Sequence, residues 1–278
     1  MGRFSMSSLY VVATPIGNLE DISLRAIRIL KEVTLIAAED TRSTRYLLKR
    51  HGIKTHLTSY HEHTTRNKLE FVLNCLQDKD VALVSEAGMP GLSDPGYELI
   101  NAAIEQGVPV VPIPGASAVI TALVVSGLPA NQFLYLGFLP RRKGERRRLL
   151  QSLVDKPWTM VAFEAPHRIS QTLADALEIF GDRRIAVCRE LTKLNEEIFR
   201  GTLGEALAHF QHPKGEFTLV LAGSAGKEPQ VTAQILDEMA TLYKQGVKAK
   251  EAVAQLSKKT GLPKKKLYQA WLSLSGGE

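Results

Sequence analysis

Short apolar runs alternate with amphipathic stretches along most of this chain. The runs Leu9–Thr14, Val33–Ala38, Val81–Ser85, Val108–Val111, Phe133–Phe138, Thr159–Phe163, Ile185–Arg189 and Phe217–Leu221 read as strands. Between them Ile22, Ala26, Ile29 and Val33 recur at helical spacing, as do Leu173, Ala176, Leu177 and Phe180. This alternation predicts an α/β architecture with at least partly parallel sheets. Ser126-Gly127-Leu128-Pro129-Ala130-Asn131 has the composition of a linker and sets a boundary near Pro129. Two α/β lobes, residues 1–128 and 129–225, are expected to enclose a ligand crevice. From 226 to 278 the pattern turns helical, with Val231, Ile235, Met239 and Leu242 marking one helix. Ala249, Ala252, Val253 and Leu256 mark a second, and Leu267, Ala270, Trp271 and Leu274 a third. The turn Thr260-Gly261-Leu262-Pro263 makes the last two a helix-turn-helix unit.

Two tight loops each follow an apolar run. One is Ala13-Thr14-Pro15-Ile16-Gly17-Asn18 and the other Ser85-Glu86-Ala87-Gly88-Met89-Pro90-Gly91. Gly and Pro there let peptide groups approach a bound molecule, as at the carboxyl ends of strands in open α/β sheets; ordinary strand-to-helix connections have the same look. Several common sites are missing from the sequence. It has no Gly-x-Gly fingerprint, no phosphate-binding P-loop, no Gly-x-Ser-x-Gly elbow and no His-Glu-x-x-His zinc site. His61-Glu62-His63 lacks a third ligand and reads as surface polarity, so no metal is expected. Cys75 and Cys188 lie far apart within apolar runs, as buried free thiols of a reducing cytoplasm would. No segment approaches a membrane span.

Four polar clusters stand at strand ends: Ala38-Glu39-Asp40-Thr41-Arg42, Ser93-Asp94-Pro95-Gly96, Glu164-Ala165-Pro166-His167-Arg168 and Arg189-Glu190-Leu191-Thr192-Lys193. Any one could be a helix cap, and Asp94 reads as the cap of the helix that follows. Both signs of charge recurring at strand ends point instead to an active cleft. The net charge of +6 suits an anionic partner. Arg141, Arg142, Lys143, Arg146, Arg147 and Arg148 put six bases against one acid in eight residues, a composition that would neutralise phosphates. Lys264, Lys265 and Lys266 open the last helix, and from Lys227 onward nine lysines face five carboxylates. Nucleic-acid docking is therefore favoured over a solvated helical cap.

The motifs TPIGN, AEDTR, SEAGMPGLSDPG, PGASA, GFLPR, FEAPHR, RELTK and KGEFTLVLAG follow one another in this order. Together they resemble the bacterial 16S ribosomal RNA ribose 2′-O-methyltransferases of the tetrapyrrole-methylase (class III methyltransferase) fold, and the helical extension is similar to theirs. The resemblance spans nearly the whole chain. It implies a cytoplasmic homodimer of two-lobed subunits with S-adenosylmethionine between the lobes. The implied substrate is a cytidine in the decoding region of 16S rRNA, in the 30S subunit or in free RNA. Carried over by position, the methyl donor would contact Pro15, Gly17, Gly88, Met89, Pro90, Ser117 and Ala118, with Phe163, Ala222 and Gly223 behind. Among the strand-end clusters, the candidates for proton removal are Asp40 or Glu190, with Arg42, Arg168 and Lys193 holding phosphate or ribose and tuning those carboxylates. The family's second loop usually reads SDAGTP. Here Glu86 and Met89 replace its Asp and Thr, and Met89 cannot donate the hydroxyl hydrogen bond that would help hold the donor. Asn195 stands where the family usually has His, so proton transfer is not expected from that position. The competing expectations are a tetrapyrrole methylase of the same fold and a non-catalytic rRNA-binding protein.

Overall fold

A computed structural model describes residues 7–61, 66–211, 213–224 and 231–275. Five strands form the first sheet: β1 (Leu9–Val12), β2 (Leu35–Ala38), β3 (His56–Ser59), β4 (Val81–Val84) and β5 (Val110–Ile113). Their order is β3-β2-β4-β1-β5, and every pairing is parallel. All residues of β2 and β4 are buried, because helices cover both faces of a parallel sheet. Two core clusters divide between those faces, one around Val12, Leu30 and Ile36 and the other around Leu9, Leu83 and Leu99.

β1 lies between β4 and β5, so the chain leaves the centre of the sheet in both directions. Such a switch point opens a crevice beyond the strands' carboxyl ends. The loops after β1, β2, β4 and β5 all gather there. Thr14 and Gly88 tie two of them with paired bonds, Thr14 N to Gly88 O at 2.8 Å and Gly88 N to Thr14 O at 3.0 Å. Gly88 has φ +81°, which favours glycine.

The second sheet comprises β6 (Phe133–Phe138), β7 (Thr159–Glu164), β8 (Arg184–Arg189), β9 (Glu197–Thr202) and β10 (Phe217–Leu221) in the order β6-β7-β10-β8-β9. Only β6 with β7 is parallel. Both sheets belong to one compact unit, which runs to Gly223 apart from Asp155–Pro157.

A second compact unit takes Asp155–Pro157 and the chain from Ser224 on. Its three helices, Ala233–Lys244, Ala249–Thr260 and Lys264–Ser275, pack around Met239, Val253, Leu256, Leu267 and Trp271. Gly261 ends the middle helix at φ 72°, the left-handed C-terminal stop that glycine supplies. Lys264–Lys266 form the first turn of the last helix. Among the described residues no helix is long and apolar enough to cross a membrane.

Candidate active site

The crevice of the first unit has a volume of about 540 Å³, within the range of small-molecule sites. Its walls are apolar, from Ile16, Met89, Val119, Phe138, Phe163 and Leu191. Its polar groups are mostly carboxylates: Glu39, Glu86, Asp94, Glu164 and Glu216, with Lys193 as the cation. Helix α5 (Ala118–Val125) starts at the crevice, where Ser117 caps it and Ala118 and Val119 carry first-turn N–H groups with no intrahelical partner.

Of the residues expected to meet a donor, Gly17, Gly88, Met89, Ser117, Ala118 and Phe163 line this space. Pro15 and Pro90 are buried and fix the turns, while Ala222, beside Gly223, packs on the apolar cluster that joins Ile16, Val119 and Leu123 to the second sheet. Gly17 matters for space. A Cβ there would lie 2.5 Å from Lys193 Cγ, 2.7 Å from Thr192 Oγ1 and 2.9 Å from Leu191 O. The missing side chain lets the loop after β8 settle on the loop after β1, sealed by Asn18 N donating to Thr192 Oγ1 at 3.0 Å.

The five residues expected to be catalytic separate. Lys193 lines the crevice, its Nζ 3.0 Å from both Glu190 Oε1 and Glu216 Oε2. Burial opposes its charge, but those bonds hold the ammonium above the ordinary lysine range. Glu190 accepts from Glu216 N at 2.9 Å, and that bond, with Lys193, keeps its carboxyl below the usual range. Asp40 is the N-cap of the helix Thr41–Arg50 and accepts from Arg42 N at 2.7 Å. That backbone bond and then the Arg42 guanidinium lower its value as well. Carboxylates held in their ionised form are weak bases, and neither of these lines the crevice. Arg42 is an exposed surface group, with 89 % of its side chain accessible. Arg168 is mostly buried, paired with the fully buried Glu164 and donating to Leu139 O at 3.0 Å.

The basic run divides between buried, paired groups and exposed ones. Arg146 is 1 % exposed on helix α6 (Lys143–Ser152) and donates twice to Asp175 Oδ2, at 2.9 and 2.7 Å. Arg147 binds Asp175 at 3.1 Å and Glu178 at 2.5 Å. Arg142 pairs with Glu145, which leaves Arg141, Lys143 and Arg148 as the exposed remainder. Of His61-Glu62-His63, Glu62 and His63 lie outside the described residues; no group of His, Cys, Asp and Glu able to hold a metal occurs among the described ones.

Glu39, Glu86, Asp94 and Glu216 gather at the crevice, a cluster that the separate sequence motifs do not display. Burial and the nearby Asp40 and Glu39 raise Glu86, and burial followed by Glu39 pushes Asp94 up to about 7. The sequence signal for Glu39, Glu86 and Asp94 is that they follow the carboxyl ends of β2 and β4, whereas Glu216 precedes β10 and carries no such signal.

The Tetrapyrrole (Corrin/Porphyrin) Methylases family matches residues 8–207. A protein of Halalkalibacterium halodurans called ribosomal RNA small subunit methyltransferase I is 46 % identical over 97 % of this chain and 96 % of its own length. The Bacillus subtilis protein of that name is 42 % identical over 97 % of this chain and 96 % of its own. The solved structure of a cobalamin biosynthetic enzyme, cobalt precorrin-4 methyltransferase, shares the fold at TM-score 0.60 and 17 % identity, covering 80 % of this chain and 97 % of its own. The chain therefore belongs to the tetrapyrrole methylases, a family of S-adenosylmethionine-dependent methyltransferases, and within it to the relatives called ribosomal RNA small subunit methyltransferase I.

Proposed function

We propose that this protein transfers a methyl group from S-adenosylmethionine to the ribose 2′-hydroxyl of a cytidine in the decoding region of 16S rRNA, in the cytoplasm and as a homodimer. Support for the substrate comes from relatives named for small-subunit rRNA methylation that align over 97 % of the chain. The crevice residues fit the donor. Apolar walls accept its adenosyl and methylene portions, and the carboxylates Glu39, Glu86 and Asp94 favour its sulfonium charge. Backbone N–H groups at the start of α5 suit its carboxylate.

When bound, the donor supplies an electrophilic methyl on a sulfonium, so no metal is needed to activate it. The chain's part is to hold the acceptor oxygen in line, exclude water and accept the hydroxyl proton. Lys193, bridged by Glu190 and Glu216, is placed to hold an anionic or hydroxyl group of the acceptor at the crevice.

Labelled donor offered to 30S subunits, free 16S rRNA and a tetrapyrrole tests this reading. Transfer to either RNA substrate is expected, with the subunit preferred. Transfer to the tetrapyrrole alone would replace it with the small-molecule reading, and donor-independent RNA binding with the non-catalytic one.

Two further results are expected. Met89→Thr restores a hydroxyl donor at the crevice wall and tightens donor binding about two- to tenfold by calorimetry, the worth of one neutral hydrogen bond. Replacing Arg141, Lys143 and Arg148 together with alanine weakens RNA binding uniformly across sequences. It also lowers the slope of log affinity against log salt by about 0.7 to 0.9 per lost phosphate contact. Lys264, Lys265 and Lys266 of the helical unit are proposed to add to the same electrostatic grip, which reads RNA shape and phosphates and does not enter its narrow major groove.

A further inference from the structure

Resting on the methyl-transfer reading above, we propose that Asp94 is the general base that receives the proton of the acceptor hydroxyl. Asp94 lines the crevice, whereas Asp40 and Glu190 do not. It also lacks the structural role that its sequence context suggests. The following helix, Tyr97–Glu105, has Gly96 as its N-cap and no side-chain capping bond at all.

The backbone next to Asp94 is held in an unusual conformation by the opposite lobe. Ser93 has φ +62°, a region that non-glycine residues seldom occupy. Its Oγ lies 2.7 Å from the Tyr135 hydroxyl on β6, and Gly137 gives it room, since a Cβ there would stand 3.1 Å from that oxygen. A strained residue fixed by its surroundings beside a crevice-lining carboxyl is the arrangement that positions a reacting group. The contact also joins the loop after β4 to the second sheet, so Asp94 is set in the crevice where that loop meets β6.

The groups facing Asp94 come from three elements. Glu39 follows β2, Ser85 and Glu86 follow β4, and Tyr135 belongs to β6. Burial first, then the Glu39 charge, push the carboxyl up to about 7; Glu86 adds to this and a hydrogen bond from Ser85 partly offsets it. A carboxylate with that value is a much stronger base than an ordinary aspartate, yet it is still substantially ionised near neutral pH. In the transfer, the hydroxyl proton passes to an Asp94 Oδ as the oxygen–methyl bond forms. The electron pair of the broken carbon–sulfur bond stays on sulfur, so a sulfonium and a carboxylate become a thioether and a carboxylic acid.

Asp94→Asn tests the assignment, because the amide copies the shape of the neutral acid. One readout needs neither donor nor RNA. A carboxyl raised above its unfolded value of 3.8 binds its proton more tightly in the folded protein, so its contribution to stability falls as pH rises from about 4 through 7. The variant is thus expected to melt above wild type at pH 8 and together with it at pH 4. A melting difference that stays constant across this range overturns the proposal. The second readout is single-turnover methyl transfer to RNA. Wild-type rate is expected to rise about tenfold per pH unit up to a plateau near 7. Asp94→Asn should lower it about 10²- to 10⁴-fold and remove the rise, with S-adenosylhomocysteine binding retained. A variant that keeps the wild-type rate and profile overturns the base assignment and leaves methyl transfer standing. A wild type that binds donor but methylates no RNA overturns the functional reading, and the base assignment falls with it.

Discussion

Gly17→Ala is expected to weaken donor binding about five- to 150-fold and to lower the melting temperature, although it adds only a methyl group. The reason is the seam between the first glycine loop and the loop after β8. The new Cβ would stand 2.5 Å from Lys193 Cγ and 2.9 Å from Leu191 O, and a backbone carbonyl cannot swing aside as a side chain can. Relief requires moving residues 190–193. Their backbone is already constrained, with Glu190 at φ 51° and Thr192 at φ 65°. Such movement costs the Asn18–Thr192 hydrogen bond and displaces Leu191 and Lys193, which line the crevice. Overpacking of this kind typically costs about 1–3 kcal/mol, and 1.4 kcal/mol is about a tenfold change in affinity. Calorimetric titration with S-adenosylhomocysteine and a thermal melt check it; wild-type values in both would show that the seam yields freely.

The largest loss of stability is expected from Asp175→Ala. Arg146 would keep a guanidinium that is 1 % exposed while losing bonds of 2.9 and 2.7 Å, and Arg147 would lose one of 3.1 Å. Removing one partner of a buried ion pair costs about 3–5 kcal/mol. For a chain of this size that lowers the melting temperature by about 6–20 °C. Replacing both partners, as Arg146→Met with Asp175→Leu, should recover most of the loss, since no buried charge is left unpaired. The pH dependence follows from the carboxyl. Burial opposes its ionisation, but Arg146 and then Arg147 hold it below 3.8. Its stabilising contribution is therefore complete above 3.8 and is lost as pH falls through the lower folded value, so the gap between wild type and Asp175→Ala narrows in acid. Thermal melts of the three proteins across pH decide it.

The sequence carried the central strands openly and the edges hardly at all. β2 and β4 are buried along their whole length and show as unbroken apolar runs, whereas His56–Ser59 and Glu197–Thr202 are edge strands of mixed polarity that match no simple period. The alternation of strands and helices also predicts parallel pairing more readily than the antiparallel β10-β8-β9 arrangement, because β8 and β9 join through a short loop with no helix. Arg146 looked like one base in a charged run. Yet Leu150 and Leu153 follow it at four and seven residues on, which places it on the buried stripe of α6. Asp94 resembled a helix cap because capping vocabulary and active-site carboxylates use the same residue types at strand ends. Only the folded chain shows that Gly96 takes the cap position and that Glu39, distant in sequence, joins Glu86 around Asp94.

The position of the transferred methyl tests the central claim most directly. A 2′-O-methyl group removes the hydroxyl through which alkali cleaves the next phosphodiester bond. After transfer from labelled S-adenosylmethionine to 30S subunits and alkaline hydrolysis, the label is predicted in an alkali-resistant dinucleotide that yields 2′-O-methylcytidine. Label released in ordinary mononucleotides, which would mean a methylated base, or its absence from the RNA would contradict the account.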